Sequence, residues 1–317
     1  MHKQLSPPLV NIVEKQKKIV TLLESLKQKP LLFQAFAMME TYLIEKTVDG
    51  KETRFRTFED MEKPTIEGGE GEIGYKKGLE NGLDFFISHI KDPLSKEWFI
   101  GIHDALTAGI TTDDNSEGIP TGFRTKEDGK EAMGLIWGET YSDLGISELA
   151  EKKKCDNERY LMFESQFEHL DNENYHGFCA SKKYGDSQNI MGNIKTKAMS
   201  DTVKLLTSHT LSPLQANRFF TFLLFNYYND INPIKNSELD EVSTVKAIAI
   251  FCQDLDQLHL FVDGNIRSIG IFLLNKLLYD QGLEPSCMKD VNALDCLSID
   301  EITNLIVEGQ EEFKKLS

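Results

Sequence analysis

The chain has 317 residues, which is enough to bury a sizeable core in one large domain or two modest ones. Its 51 aspartates and glutamates outnumber 35 lysines and arginines, so the formal net charge is -16. This charge repels nucleic acid and anionic membrane surfaces, and any anionic ligand must therefore be captured by local contacts. No stretch approaches the roughly 20 apolar residues that span a bilayer.

The start of the chain and its cysteines both indicate a protein that folds in a cytoplasm. The first ten residues, MHKQLSPPLV, lack the apolar region of a secretory signal. The five cysteines have no CxxC spacing, so reduced thiols in an intracellular protein are the expected state.

Helical periodicity dominates the first part of the chain. Apolar residues recur at helical spacing over 13–28, where Pro30 stops the pattern, and a second helix is expected over 31–46. The glycine-rich, charged stretch 63–78 follows. The segments LDFFISHI and EWFIGIHDALTAGI then return to helical spacing.

The middle of the chain is the least regular part. Residues 111–138 are expected to form a loop followed by short extended pieces, separated by Gly129 and Gly134, which together predict a small hairpin. Residues 139–200 are polar and poorly periodic, which indicates either short surface elements or an insertion.

Clear helix signals return after residue 212. Ser212 is the expected N-cap of a helix with Pro213 in its first position. Further helices are predicted over 243–259, over 266–281 with a stop at Gly282, and over about 298–315. The expected fold class is therefore mainly α with a minor β element.

The junction between two of these helices carries the candidate site. His259 ends the buried face of the preceding helix, where an imidazole can act as a general base. Asp263 projects a carboxylate, and Gly264 and Asn265 tolerate a positive φ that would let backbone N–H groups form an anion-binding nest. Arg267 adds a planar guanidinium for phosphate oxygens.

Each of these features alone has an ordinary structural explanation. A histidine at a helix end is usually a satisfied structural residue, and an Asp-Gly-Asn turn between helices is common. The joint order of histidine, aromatic residue, acid, glycine, asparagine and arginine at the head of an apolar helix favours phosphoryl or nucleotidyl transfer.

The segment HLFVDGNIRSIG, residues 259–270, resembles the signature of the Fic (Fido) family, His-Pro-Phe-x-(Asp/Glu)-Gly-Asn-Gly-Arg-x-x-Arg. Upstream, IHDALTAGI with TGFRT resembles the helix and Gly-x-Arg turn before the family's target-docking flap, and TIEGG resembles its inhibitory motif. The resemblance implies a Fic-type helical core with a small β-hairpin flap over residues 61–317. Residues 1–60 would be an N-terminal helical extension.

The resemblance also implies an activity. Fic proteins usually transfer AMP from ATP to a hydroxyl of a target protein, a Ser, Thr or Tyr side chain, and some use other nucleotides or donate phosphocholine. His259 would be the base and Asp263 the Mg²⁺ ligand, while Gly264, Asn265 and Arg267 would hold the phosphates of ATP or another nucleotide donor. Mg²⁺ would be the cofactor.

Three positions depart from the signature. Leu260 replaces a proline, Ile266 replaces the second glycine, and Gly270 replaces the second arginine, which in the family holds the distal phosphate of ATP. Losing that contact removes on the order of 1.5–3 kcal/mol of donor binding. A diphosphate donor resembling CDP-choline is therefore an alternative to ATP.

Glu67, within TIEGG, is the expected regulatory residue. The corresponding glutamate of the family pairs with the second arginine, which Gly270 cannot supply. Two alternatives remain: Glu67 lies on a solvated face, or it reaches Arg267 or another base.

Residues 122–138 correspond to the flap, which in the family pairs by main-chain hydrogen bonds with an extended target segment. The expected docking residues are Gly134, Leu135, Ile136 and Trp137. The structural alternative is a plain surface hairpin. Because His259 follows the flap much later than is usual, residues of about 140–210 are expected to be an insertion.

Two hypotheses of function follow. His259, Asp263 and Arg267 favour an enzyme that modifies a protein hydroxyl, since binding alone needs no base. Ile266 and Gly270 favour a Fic-like binding protein without turnover. The expected location is cytoplasmic, and by family habit an effector secreted into a host cell also fits.

Overall fold

The computed structural model describes residues 7–28, 36, 72–111, 118–124, 131–137, 142, 144–145, 147–148, 195–200, 203–209, 213–235, 241–295 and 297–315. The helix predicted at 31–46, apart from Phe36, lies outside these residues, as do Glu67 and most of the segment 140–210. The described part is mainly helical, as expected.

The described elements comprise seven α-helices, one π-helical segment, one 3-10 helix and three strands. The α-helices are α1 (Pro7–Leu26), α2 (Tyr75–His89), α3 (Lys96–Thr107), α4 (Pro213–Lys235), α5 (Glu241–Leu258), α6 (Leu274–Asp280) and α7 (Ile299–Lys315). The π-helical segment (Arg267–Leu273) leads directly into α6, and the 3-10 helix spans Val291–Leu294. The strands are β1 (Glu131–Trp137), β2 (Lys195–Ser200) and β3 (Val203–His209).

Helix ends follow the predicted signals closely. Helix α4 begins at Pro213. Helix α6 ends in a Schellman motif, in which Gly282 has φ 70° and the N–H of Leu283 donates to the carbonyl of Leu278 at 2.9 Å. At the start of α7, Ser298 and Glu301 exchange hydrogen bonds in a capping box, with Ser298 N to Glu301 Oε2 at 2.8 Å.

The continuous helical stretch after the candidate site lies at the centre of the core. Every residue from Arg267 to Tyr279 is buried, because α2, α3 and α5 all pack against this stretch. Phe272 illustrates the packing, with its ring edge-on to Phe86 at a centroid distance of 5.5 Å. The run from Ile269 to Leu274 carries only apolar residues and glycine, and a helix that is apolar on all sides is stable in such an enclosed position.

The three strands form one antiparallel sheet in the order β1-β3-β2. Strand β1 lies within the predicted hairpin region, but its partner is β3, which belongs to the segment expected to be an insertion. Gly134 is opposite Leu206 and Trp137 is opposite Val203. The end of that segment therefore contributes to the same sheet as the predicted flap residues.

No helix in the described part of the chain is both long enough and apolar enough to cross a membrane.

Candidate functional site

His259 ends helix α5 in a left-handed conformation. Its φ is 44°, and it is the one non-glycine residue with a positive φ in the described residues. The N–H of His259 donates to the carbonyl of Asp256 at 3.1 Å, and the imidazole is half-buried. Non-glycine residues rarely adopt this conformation, and when surrounding contacts hold them there they cluster at functional sites.

Arg124 supplies those surrounding contacts. Its Nε donates to the carbonyls of His259 and Phe261, both at 2.9 Å, and its Nη2 to that of Val262 at 3.4 Å. The N–H of Arg124 donates to the carbonyl of Leu260 at 2.9 Å. One residue thus holds four successive carbonyls of the loop, which provides the rigidity that a proline at position 260 would otherwise give.

Asn265 closes the loop from its other end. Its Oδ1 accepts from the N–H of Phe261 at 2.9 Å, and its Nδ2 donates to the carbonyl of Phe261 at 3.0 Å. Phe261 itself is fully buried, so its ring anchors the loop in the core. Because the amide of Asn265 is committed to the loop, its backbone N–H is the group that remains for a ligand.

Gly264 lies directly on helix α3. Its φ is 74°, and a Cβ at this position would lie 2.9 Å from Cγ2 of Thr107. Both the conformation and the close approach require glycine here. The loop therefore packs closely against α3 at Gly264.

The next helix begins immediately after Gly264, whose carbonyl accepts from the N–H of Ser268 at 3.1 Å and from its Oγ at 2.8 Å. The first N–H groups of a helix have no acceptor within it, so those of Asn265 and Ile266 mark an anion-attracting end. Ile266 has helical dihedrals, φ -64° and ψ -35°. The β-branched residue therefore causes no backbone strain at this position.

Arg267 is the cation of the site, and the protein's own acids surround it. Its buried side chain forms an ion pair with Glu72, and its Nη2 lies 3.4 Å from Oδ1 of Asp263. The guanidinium also lies over the ring of Tyr75, 5.0 Å from the centroid. Arg267 thus holds carboxylate oxygens in the way that it could hold phosphate oxygens.

Glu72 is a site residue that the sequence interpretation missed. It lies five residues after Glu67, just before α2, and Ile73 next to it forms a two-bond bridge with Thr111. Each of the two backbone hydrogen bonds of this bridge is 3.1 Å long. The only local signal was that Glu72 is the third acid of the same glycine-rich stretch, after Glu67 and Glu70.

Gly270 faces the core, away from the site. Its hypothetical Cβ would lie 2.7 Å from Cβ of Val291 and 3.6 Å from Cδ1 of Leu294. Residues three apart share a face in an α-helix, but across this π-helical segment Arg267 faces Glu72 whereas Gly270 faces the 3-10 helix. An arginine would not fit at position 270.

His103 was also missed, although it lies in a segment that resembles the family. Its ring is completely buried and stacks on Phe261 with a centroid distance of 3.7 Å. Nε2 lies 3.0 Å from the carbonyl oxygen of Asp263, and Nδ1 lies 2.9 Å from Oδ1 of Asp104. Burial lowers the pKa of His103, whereas the contacts with Asp104 and Asp263 oppose that shift.

Asp263 is the residue that could hold a metal ion. Its carboxylate is 36 % exposed, and Oδ1 accepts from the N–H of Gly264. No group of three or more His, Cys, Asp or Glu side chains with metal-binding geometry occurs among the described residues. A single carboxylate beside an anion site fits Mg²⁺, which is commonly bound by one or two carboxylates together with phosphates and water.

The structure thus brings His259, Asp263, Gly264, Asn265 and Arg267 together in one loop, the 259–267 loop. The four predicted docking residues lie in β1, which is an edge strand of the described sheet.

Comparison with protein-family models gives no match, and comparison with curated proteins also gives none.

Proposed function

We propose that this chain is a Fic-like transferase, which attaches a nucleotide-derived group to a hydroxyl of a target protein. The observation that carries the proposal is the buried Arg267, which lies beside Asp263 at the start of a helix and in the same rigid loop as His259. A cation, a partly exposed carboxylate, helix-terminal N–H groups and a base are the parts that phosphoryl-type transfer requires.

His259 is the proposed general base. The half-buried imidazole takes the proton of a Ser, Thr or Tyr hydroxyl while the hydroxyl oxygen forms a bond to a phosphorus atom of the donor. The bond from that phosphorus to the leaving group breaks in the same exchange. With ATP, AMP is transferred and pyrophosphate leaves.

Arg267 and the N–H groups of Asn265 and Ile266 would bind the donor phosphates. Asp263 would hold Mg²⁺, which supplies charge neutralisation to the phosphates when bound. Because the carboxylate of Glu72 is paired with Arg267, a phosphate must displace that carboxylate before it reaches the guanidinium. The described conformation therefore corresponds to a closed donor site.

The usual donor of the Fic family is ATP, from which AMP is transferred. The environment of Gly270 favours a donor that needs no second arginine. Val291 and Leu294 occupy the space into which a side chain at position 270 would project. A nucleoside diphosphate donor, such as one resembling CDP-choline, places fewer charges at that end of the site.

The target is proposed to be a protein that docks on β1. Edge strands offer unpaired backbone groups to an extended segment, and Gly134 to Trp137 lie in such a strand of the described sheet. The proposed place of action is a cytoplasm, either the protein's own or that of a host cell.

A second candidate function is nucleotide binding without turnover. The ion pair between Glu72 and Arg267 and the apolar contacts at Gly270 are the observations that favour it. The presence of a base in a strained, tightly held turn favours the enzyme instead, because binding alone needs no base.

Mass spectrometry distinguishes the two. The purified protein and a cell lysate are incubated with Mg²⁺ and, separately, ATP, UTP, GTP or CDP-choline, and adducts are identified by intact and peptide masses. The enzyme hypothesis predicts an adduct with at least one donor. Nucleotide binding in calorimetry without any adduct would support the binding protein.

A further inference from the structure

The 259–267 loop is supported by a histidine that has no part in the proposed chemistry. His103 of α3 is completely buried, and its Nε2 lies 3.0 Å from the carbonyl oxygen of Asp263. A backbone carbonyl can only accept a hydrogen bond, so the contact with Asp263 requires a proton on Nε2. The Asp104 carboxylate is also an acceptor, so both contacts are hydrogen bonds when both ring nitrogens carry a proton. The ring stacks on Phe261 with an interplanar angle of 2°, which fixes its plane.

The carbonyl that His103 holds has a particular position in the loop. It belongs to the peptide between Asp263 and Gly264, where the chain takes φ 74° and then enters the helix. The orientation of this peptide decides where the Asp263 carboxylate lies relative to Arg267 and where the following N–H groups point. Arg124 holds the carbonyls from His259 to Val262, and His103 holds the next carbonyl along the chain.

Asp104 connects His103 to Gly122, the first residue of the segment 122–138. Its Oδ1 lies 2.9 Å from Nδ1 of His103 and accepts from the N–H of Gly122 at 2.8 Å. Gly122 is two residues before Arg124 in the sequence. A carboxylate that orients an imidazole, which in turn orients a site residue, is a known way of fixing ligand geometry.

We propose that His103 is a positioning residue, which fixes the Asp263–Gly264 peptide so that the carboxylate and the helix N–H groups converge on one anion. Its effect on donor binding rests on the function proposed above. Its effect on the loop does not, because the hydrogen bond to Asp263 is a property of the folded chain.

The alternative role of His103 is simple packing against Phe261. Two substitutions separate the roles. His103→Gln retains an amide N–H that can reach the Asp263 carbonyl, but it loses the aromatic ring. His103→Phe retains a ring that can stack on Phe261, but it has no donor.

Hydrogen exchange at the amides of Gly264 and Asn265, measured in the wild type and both variants, tests the positioning directly. Calorimetry with Mg²⁺ and inorganic pyrophosphate adds a measure of anion binding. We expect His103→Phe to exchange about tenfold faster and to bind pyrophosphate about tenfold more weakly, and His103→Gln to stay within about threefold of the wild type in both.

Unchanged exchange in His103→Phe would overturn the proposal, as would a defect in His103→Gln as large as that in His103→Phe. If the wild type does not bind pyrophosphate but His103→Phe still exchanges faster, the proposed function fails while the role of His103 stands.

If His103→Phe does not fold, Asp104→Ala replaces it. That variant frees the ring, so faster exchange at Gly264 supports the proposal and unchanged exchange overturns it.

Discussion

The carboxylate of Glu72 forms an ion pair with the guanidinium of Arg267, which is buried in the first turn of the helix that begins after Gly264. A donor phosphate would have to compete with this carboxylate. Charge-assisted contacts of this type contribute roughly 1.5–3 kcal/mol. Glu72→Gln removes the charge, so we expect it to raise the affinity for Mg²⁺ with ADP about tenfold in calorimetry.

Two substitutions act as controls for Glu72→Gln. Glu80→Gln removes a charge from the exposed pair of Glu80 and Lys77, whose charged atoms are 3.4 Å apart, and should leave the affinity unchanged. Glu67→Gly should also change activity little, whereas a tenfold rise would assign the inhibition to Glu67. Equal affinities of Glu72→Gln and the wild type would contradict the role given to Glu72.

Arg124→Lys tests how the 259–267 loop is held. Lysine retains the charge but lacks the guanidinium that reaches the carbonyls of His259, Phe261 and Val262. We expect the free energy of unfolding to fall by about 2 kcal/mol and donor-dependent labelling to fall at least about tenfold. Urea unfolding and single-turnover labelling provide the two values.

Arg218→Lys is the matched control for Arg124→Lys, because Arg218 is a partly buried arginine of α4. Equal effects of the two substitutions on labelling would show that Arg124 has no special relation to the loop.

The packing of Gly270 predicts a specific energetic coupling. Gly270→Ala places a methyl group 2.7 Å from Cβ of Val291, so we expect a destabilisation of about 1–3 kcal/mol. Val291→Gly removes both Cβ and Cγ1, the two nearest obstructing atoms, so the double variant should be less destabilised than the sum of the two single effects. Denaturant unfolding of the four proteins in a double-mutant cycle measures the difference. Strict additivity would show that the two residues do not compete for the same space.

Asp256, which is buried near the end of α5, and the half-buried Asp295 are neighbouring acids that predict a pH dependence of stability. Burial, followed by the neighbouring Asp256 carboxylate, raises the pKa of Asp295 well above its usual range. The folded protein therefore keeps a proton that the unfolded chain releases near pH 4. Stability from this group is fully present below about pH 4 and is lost as pH rises towards the folded pKa, by about 1.4 kcal/mol for each unit between the two pKa values.

Asp295→Asn should remove this dependence. We expect the variant to be more stable than the wild type at pH 8 and nearly equal to it at pH 4, as measured by thermal unfolding at both pH values. Asp300→Asn is the control, because Asp300 is exposed and pairs with Lys246 at 2.6 Å. A wild type whose stability is as large at pH 8 as at pH 4, with no gain from Asp295→Asn, would contradict the assignment.

Local signals predicted the helices around the site well. Pro213 begins α4 and Gly282 ends α6 because caps and stops depend on residues within one turn of the chain. The same is true of the 259–267 loop, in which Asn265 and Phe261 are four residues apart and bond to each other. The order of residues within this short segment was therefore sufficient to predict the loop and its charged residues.

Contacts between distant segments were not predictable in this way. Glu72 reaches Arg267 across 195 residues, and Arg124 reaches His259 across 135. The pairing of β1 with β3 likewise joins strands on either side of a long segment. The packing of Gly270 against Val291 across the π-helical turn was not predictable from the sequence either. None of these relationships leaves a periodic pattern in the sequence.

His259 is the proposed base of a group transfer, and a comparison with His259→Ala tests this role most directly. Wild type and His259→Ala are incubated with Mg²⁺ and the donor that gives an adduct, and the rate of labelling is followed by mass spectrometry. We predict that labelling by His259→Ala is slower by about 10²–10⁴-fold, the usual contribution of a general base, while nucleotide affinity stays within about threefold. Equal labelling by the two proteins, or no adduct from the wild type with any donor, would contradict the claim.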